Sequence, residues 1–147
     1  MFFSIVIPTY NPKPYLSQLL CTIASNDCID DIEIIIVDDC STESFDEIIQ
    51  QYLNLNIKII TNDKHYGYPA IGRQRGLDEA MGTWICFADQ DDYFKDNTFD
   101  VLKKVIIDKQ IKNCLMGSFY IVYDDHMVLD VPHSAQTHGK LFEKTFL

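Results

Sequence analysis

The sequence predicts an α/β fold, a mostly parallel sheet flanked by helices. Three observations carry that expectation. Short apolar, β-branched runs alternate with segments whose apolar residues recur at helical spacing. Strands separated by helices build right-handed βαβ units, which give parallel strands. The unusual polar clusters fall where the strand-like runs end, and that is the rim at which ligands of such sheets bind.

Phe2 to Ile7 is a short apolar run stopped by Pro8, hence a buried strand. Asn11-Pro12-Lys13-Pro14 turns the chain, and a helix starts near Pro14, because proline is tolerated in a first turn. Tyr15, Leu16, Leu19, Leu20 and Ile23 then follow one helical face. Ile32 to Val37 is a central strand ended by Asp38-Asp39. Ser41 or Ser44 caps a helix over 45–52, with Asp46 and Glu47 suited to its first turn. Ile57 to Ile60 is a third strand. Residues 68–81 read as a helix with Ala70, Ile71, Leu77 and Ala80 apolar and Gly82 as its stop. Trp84 to Ala88 is the fourth strand, and 98–109 a helix with Phe99, Leu102, Val105 and Ile106 on one face. Leu115 to Tyr123 and Met127 to Val131 read as two hairpin strands, and 139–147 opens a further element. No linker or repeat divides the chain, so residues 1–147 are expected to form one domain.

With 147 residues, 47% of them hydrophobic, the chain is long enough for a sizeable core. Its net charge of −10 and lack of a Lys/Arg run argue against nucleic acid or an anionic membrane as a partner. Five cysteines without a C-x-x-C pair read as reduced, mostly buried thiols in a cytoplasmic protein. The apolar start is too short and lacks the basic flank of a signal peptide. No stretch approaches the ~18 apolar residues of a membrane span.

Four clusters share the expected rim: Pro8-Thr9-Tyr10-Asn11, Asp38-Asp39, Thr61-Asn62-Asp63 and Asp89-Gln90-Asp91-Asp92. The last carries the strongest chemical signal. Alternate residues of an extended chain point the same way, so Asp89 and Asp91 converge beyond the fourth strand. Paired carboxylates repel unless a cation lies between them. Hard oxygen ligands at an open site suit Mg²⁺ or Mn²⁺, which bridge protein carboxylates to phosphates. An anionic protein that binds an anionic nucleotide would gain its local positive charge from such an ion.

Taken together, four segments resemble glycosyltransferase family 2, of the GT-A (Rossmann-like) fold. They are Ser4 to Asn11, Glu33 to Ser41, Gly67 with Arg73 and Gly76, and Gly82 to Asp92. The likeness is best over residues 1–95, and 96–147 is the start of an acceptor-side region. It implies a glycosyltransferase that binds a nucleotide-diphosphate-sugar, a UDP-sugar favoured, and transfers the sugar with inversion to a saccharide or lipid-linked acceptor. Bacterial surface-polysaccharide biosynthesis is the implied setting, in the cytoplasm or peripherally at the inner face of the membrane. Pro8, Thr9, Tyr10 and Asn11 would lie near the nucleotide, where an aromatic such as Tyr10 can stack on a base for ~1–3 kcal/mol. Asp39 would accept a hydrogen bond from an imide N–H, while Asp38 fits a turn carboxylate better. Gly67 would let backbone pass close to the ligand. Arg73 would pair with an acidic site residue or reach a phosphate. Asp91 is the implied direct metal ligand, with Asp89 nearer the ribose or a metal water and Gln90 beside the donor.

An inverting transfer needs a general base for the acceptor hydroxyl. The family takes it from a later acidic motif, and this chain is expected to stop before that acceptor-binding half. The base is left unassigned, with Asp124 and Asp125 as substitutes that their spacing does not favour. A donor-binding fragment or subunit without transferase activity is therefore the alternative. His126, His133 and His138 follow no common zinc spacing. A Mg²⁺-dependent receiver domain is a more distant reading of Asp38-Asp39, with Asp63 as phosphoacceptor. A dehalogenase-type phosphatase wants its Asp-x-Asp at the first strand, and a nucleotidyltransferase a Gly-rich, basic first loop. Neither is present here. Donor sugar, acceptor and oligomeric state are left open by the sequence.

Overall fold

The computed structural model describes residues 1–112 and 144 in full, and the backbone of the strands at 114–116, 119–123, 126–131 and 140–143. Its elements run β1 (Phe3–Thr9), α1 (Tyr15–Ala24), β2 (Ile32–Asp38), α2 (Asp46–Ile49), β3 (Asn56–Thr61), α3 (Pro69–Glu79), β4 (Trp84–Phe87), α4 (Thr98–Asp108), β5 (Cys114–Met116), β6 (Phe119–Tyr123), β7 (His126–Val131) and β8 (Lys140–Glu143). One sheet has the order β3-β2-β1-β4-β8-β5, and β6 pairs with β7 in a separate ribbon. β1 to β4 are mutually parallel, whereas β8 runs antiparallel to both β4 and β5.

The two faces of the sheet follow directly from the period of two along each strand. Phe3, Ile5 and Ile7 of β1 and Ile34 and Ile36 of β2 face a core completed by Leu16, Leu19, Leu20 and Ile23 of α1 and Phe99 of α4. Val6, Ile35, Val37, Ile85 and Phe87 face the other way. Every residue of β2 is buried, as its near-continuous run of isoleucines requires of a strand covered on both faces. The chain steps outward from β1 to β2 to β3, then returns to lay β4 on the opposite side of β1. That reversal opens a crevice at the carboxyl ends of β1 and β4, the position where open α/β sheets bind ligands.

The second face is covered in a way the apolar pattern of α3 did not foretell. Ala70 is exposed and Ile71 and Leu77 are half-buried, while the helix's own buried residues are Gly72 and Gly76. A Cβ on Gly72 would stand 2.8 Å from Pro8 Cβ, and one on Gly76 only 2.2 Å from Val6 Cγ1. The helix backbone therefore lies directly on β1. Gly82 is not the stop of this helix, which ends at Glu79 with Ala80 already extended. Gly82 instead passes the start of β1, where a Cβ would meet Ser4 Oγ at 2.5 Å. Its N–H donates to Ser4 Oγ (2.7 Å) and to Glu33 Oε1 (2.9 Å), and that buried carboxylate also accepts the Ser4 hydroxyl and the Met81 N–H.

Three other expectations need correcting. The apolar run 115–123 is not one strand: 114–116 pairs with β8 in the main sheet and 119–123 joins β7. Ser41 caps no helix, and Ser44 Oγ accepts the Asp46 N–H at 3.2 Å. Of the described thiols only Cys86 is buried, and Cys21 is exposed. The side chains of Asp124, Asp125, His126, His133, His138 and Cys114 lie outside the described residues. Among the described residues, no helix is long and apolar enough to cross a membrane.

Candidate functional site

A cleft of about 450 Å³ opens at the crevice between β1 and β4. Pro8, Thr9 and Tyr10 line it from the end of β1, Val37 and Asp39 from β2, and Asp89, Gln90 and Asp91 from β4. Asn62, His65, Gly67, Tyr68, Pro69 and Gly72 close the remaining side. Eight of the ten expected site residues thus share one wall or another of a single cleft. Asn11 and Arg73 do not line it. Asn11 is a staple, with a left-handed φ of 45°. Its N–H donates to Ser41 Oγ at 2.9 Å and its Oδ1 accepts the Thr42 N–H at 2.9 Å. The loops after β1 and β2 are thereby held together.

The acidic loop is a turn, not the extended segment expected from alternation. Asp92 N–H donates to Asp89 O at 3.0 Å, and Asp92 Oδ2 accepts the Asp89 N–H at 2.8 Å. Asp89 meets a cation supplied by the protein: Arg73 Nη2 donates to its Oδ1 at 2.5 Å. Arg73 lies on α3 one residue past Gly72, where the helix lies close against Pro8. Its buried Nε has no hydrogen-bond partner among the described residues. Asp91 is exposed and faces the cleft. Gln90 pairs with the backbone of Tyr10 at two points: its Oε1 accepts the Tyr10 N–H at 2.8 Å and its Nε2 donates to Tyr10 O at 3.1 Å.

Asp39 is the most heavily bonded group of the site. Its carboxylate accepts the Tyr66 N–H at 3.0 Å, the Gly67 N–H at 2.8 Å and the Asn62 amide at 2.6 Å. Burial pushes its pKa up, but the Tyr66 and Gly67 N–H groups, Asn62 and nearby His65 outweigh burial and hold it below the usual carboxylate range. Gly67 adopts a φ of 74°, which turns its N–H toward Asp39 at little steric cost. Asp38 has the turn role expected of it, accepting the Ser41 N–H (3.0 Å) and hydroxyl (2.5 Å). Asp63 accepts the Tyr66 hydroxyl at 2.8 Å, and that bond foremost lowers its pKa and raises that of Tyr66. It sits at the end of edge strand β3 and outside the cleft lining, which removes the phosphoacceptor reading. The Cys40 thiol is pushed up by burial first, then by the charges of Asp38, Asp39 and Asp63.

His65 and Tyr68 were not singled out from the sequence. The Tyr10 and His65 rings stack with centroids 4.3 Å apart, and His65 Nδ1 lies 2.9 Å from Asp39 Oδ2. The run His65-Tyr66-Gly67-Tyr68-Pro69 is a visible signal, three aromatic rings in a short loop before a helix. Tyr68 is the N-cap of α3 and Pro69 its first residue, so the helix's N-terminal end borders the cleft and favours negative charge there.

No group of three or more His, Cys, Asp or Glu side chains gathers to hold a metal among the described residues. Asp91 with Asp89 nonetheless fits the way Mg²⁺ is bound, by one or two carboxylates plus substrate phosphates and water.

The family model "Glycosyl transferase family 2" matches residues 4–133. The poly(ribitol-phosphate) beta-N-acetylglucosaminyltransferase TarS of Staphylococcus aureus is 37% identical over 100 residues, which is 67% of this chain and 18% of that protein. The putative teichuronic acid biosynthesis glycosyltransferase TuaG of Bacillus subtilis is 32% identical over 94 residues, 63% of this chain and 36% of TuaG. The crystal structure of S. aureus TarS 1-349 in complex with UDP-GlcNAc superposes with a TM-score of 0.86 at 26% identity, covering 99% of this chain and 46% of that one. A mannosyltransferase from Pyrobaculum calidifontis, solved with GDP-Man and Mn²⁺, shares the fold at a TM-score of 0.66 and 21% identity, over 78% of this chain and 34% of that one. The parallel β3-β2-β1-β4 arrangement is thus the expected GT-A fold, and the chain spans less than half the length of these relatives.

Proposed function

The chain belongs to glycosyl transferase family 2, and from that membership we propose that its rim cleft binds the nucleoside diphosphate of a sugar donor, uridine favoured. The observation that carries the reading is the convergence of Tyr10, Asp39, Asp89 and Asp91 on one cleft. Tyr10 offers a ring face to the base, and Asp39 an anionic acceptor for its imide N–H. Asp91, exposed in the same lining, is the metal-binding carboxylate, with Asp89 near it in the loop. A Mg²⁺ or Mn²⁺ held there would neutralise charge on the departing nucleoside diphosphate. Arg73 holds Asp89 in place and supplies a permanent cation close to the phosphate end. The N-terminal end of α3 adds partial positive charge at the border of the cleft. The UDP-GlcNAc and UDP complexes of TarS support a uridine donor.

Transfer with inversion to a saccharide or lipid-linked acceptor, in bacterial surface-polysaccharide assembly, is proposed for the whole protein. TarS and TuaG, named for poly(ribitol-phosphate) and teichuronic acid, support that setting. Residues 1–147, which we take as one donor-binding domain, are expected to bind donor and ion yet transfer sugar poorly. No general base is assigned to them.

A thermal-shift series with UDP-, GDP- and dTDP-sugars, with and without Mn²⁺, tests the reading. A ligand at 100 times its Kd adds ~2.7 kcal/mol. UDP-sugars should raise the melting temperature more than the other two, and more with Mn²⁺ present. No shift with any of them would refute donor binding, and brisk transfer by residues 1–147 would refute the division of labour.

A further inference from the structure

His65 already makes both of the contacts that the proposed nucleobase requires. Its imidazole stacks on Tyr10 at 4.3 Å between centroids, tilted by 35°. Its Nδ1 lies 2.9 Å from Asp39 Oδ2 and 3.0 Å from Asp39 O. Its hydrogen bond goes to the Asp39 carbonyl, so Nδ1 carries the proton, and the carboxylate oxygen stands beside that proton at ion-pair distance. A flat aromatic ring stacked on Tyr10, with its N–H against Asp39, fills the place a pyrimidine imide would take. We propose that His65 is an internal base mimic, occupying the base position of the ligand-free protein and swinging out when a nucleotide enters. The inference rests on the reading that the base sits between Tyr10 and Asp39.

The geometry makes the two occupants mutually exclusive. Two rings already in contact leave no gap for a third. Asp39 Oδ2 also accepts the Gly67 and Tyr66 N–H groups, and the imidazole 2.9 Å away takes up its open side. The side chain is free to leave while the loop stays. His65 is half-exposed, at 49%, whereas the backbone beside it is tied to Asp39 through the Tyr66 and Gly67 N–H groups. The motion is a side-chain rotation over a fixed loop, and it costs only a tilted stack and a partly solvated hydrogen bond. Contacts of that size leave the open conformer at around a tenth of the population, and apparent affinity falls by the same factor.

Titration of UDP with Mn²⁺ into the full chain by calorimetry tests this, comparing wild type with His65→Ala and His65→Phe. His65→Ala should bind UDP about tenfold more tightly, and His65→Phe, which keeps the stack without the N–H, should fall between. In NMR spectra of the free protein, the His65 ring protons should be shifted upfield by Tyr10, and should lose that shift both on adding UDP and in Tyr10→Leu. Weaker or equal UDP binding by His65→Ala, with wild-type binding intact, would overturn the mimic and leave the nucleotide reading standing. Failure of UDP, GDP and dTDP to bind either protein would overturn the nucleotide reading and this inference with it.

Discussion

Gly76→Ala tests whether α3 is held by backbone contact. The added methyl would stand 2.2 Å from Val6 Cγ1, 3.2 Å from Val6 Cγ2 and 3.3 Å from Val37 Cγ2. Both valines are fully buried in central strands, so neither can yield without moving the sheet. Forcing a methylene into such a place costs about 1–3 kcal/mol. The first distance lies far inside any real carbon contact, so the upper part of that range applies. Alanine is preferred over glycine in a helix interior by about 1 kcal/mol, which offsets part of the cost. A net loss of about 1–2 kcal/mol follows, or a fall in Tm of about 2–8 °C for a chain of this length. Urea and thermal unfolding measure it, with Gln74→Ala on the exposed side of the same helix as the control, within about 0.5 kcal/mol of wild type. Because Tyr68, Pro69 and Gly72 of this helix border the cleft, UDP affinity should fall as well. A variant stabilised by about 1 kcal/mol would mean that helix propensity acts alone, and the close approach of α3 to β1 would be refuted.

Asp91→Ala should abolish the Mn²⁺-dependent part of UDP affinity with Tm unchanged, since the side chain is exposed; calorimetry showing the same Mn²⁺ enhancement would remove it as a ligand. Asp39→Asn should cost about 1–3 kcal/mol, because a donor replaces an acceptor among three N–H partners. Asp39 titrates below its unfolded value, so its contribution is complete above pH about 4 and is lost as pH falls through the lowered value. The acid limb of stability below pH about 4 should therefore be shallower in Asp39→Asn than in wild type, as circular dichroism against pH would show. Ser4→Ala should lose about 1–2 kcal/mol in urea unfolding, because it strips a hydroxyl from the buried Glu33 carboxylate and an acceptor from Gly82 N–H.

The strands were legible because isoleucine-rich runs such as Ile32–Asp38 have no other stable place than the centre of a sheet. The cleft was legible for the related reason that polar loops at the ends of such strands must share a rim. What escaped was set by contacts distant in sequence. The apolar residues of α3 point partly to solvent because its glycines, which carry no hydrophobic signal, own the packed face. The split between β5 and β6 is marked in the sequence only by Gly117-Ser118, a short break with apolar residues on either side. Carboxylate alternation in Asp89-Gln90-Asp91 predicted convergence for an extended chain, whereas Asp92 bends it into a turn. The family resemblance put Asn11 near the nucleotide, and nothing in the sequence shows what else it touches. Its partner, Thr42, lies 31 residues on, and only the fold reveals a staple.

The two-point pairing of Gln90 with the Tyr10 backbone gives the cleft a property that neither half has alone. In the proposed donor site a nucleoside diphosphate would be a bivalent ligand, gripped by its base at one end and its phosphates at the other. The strength of such a grip depends on effective concentration, the chance that the second end finds its partner once the first has docked. Gln90, bonded to the Tyr10 backbone, would then be a splint between the two grips. Loosening it would leave the affinities for uridine and for pyrophosphate as they are, and would weaken only the molecule that joins them.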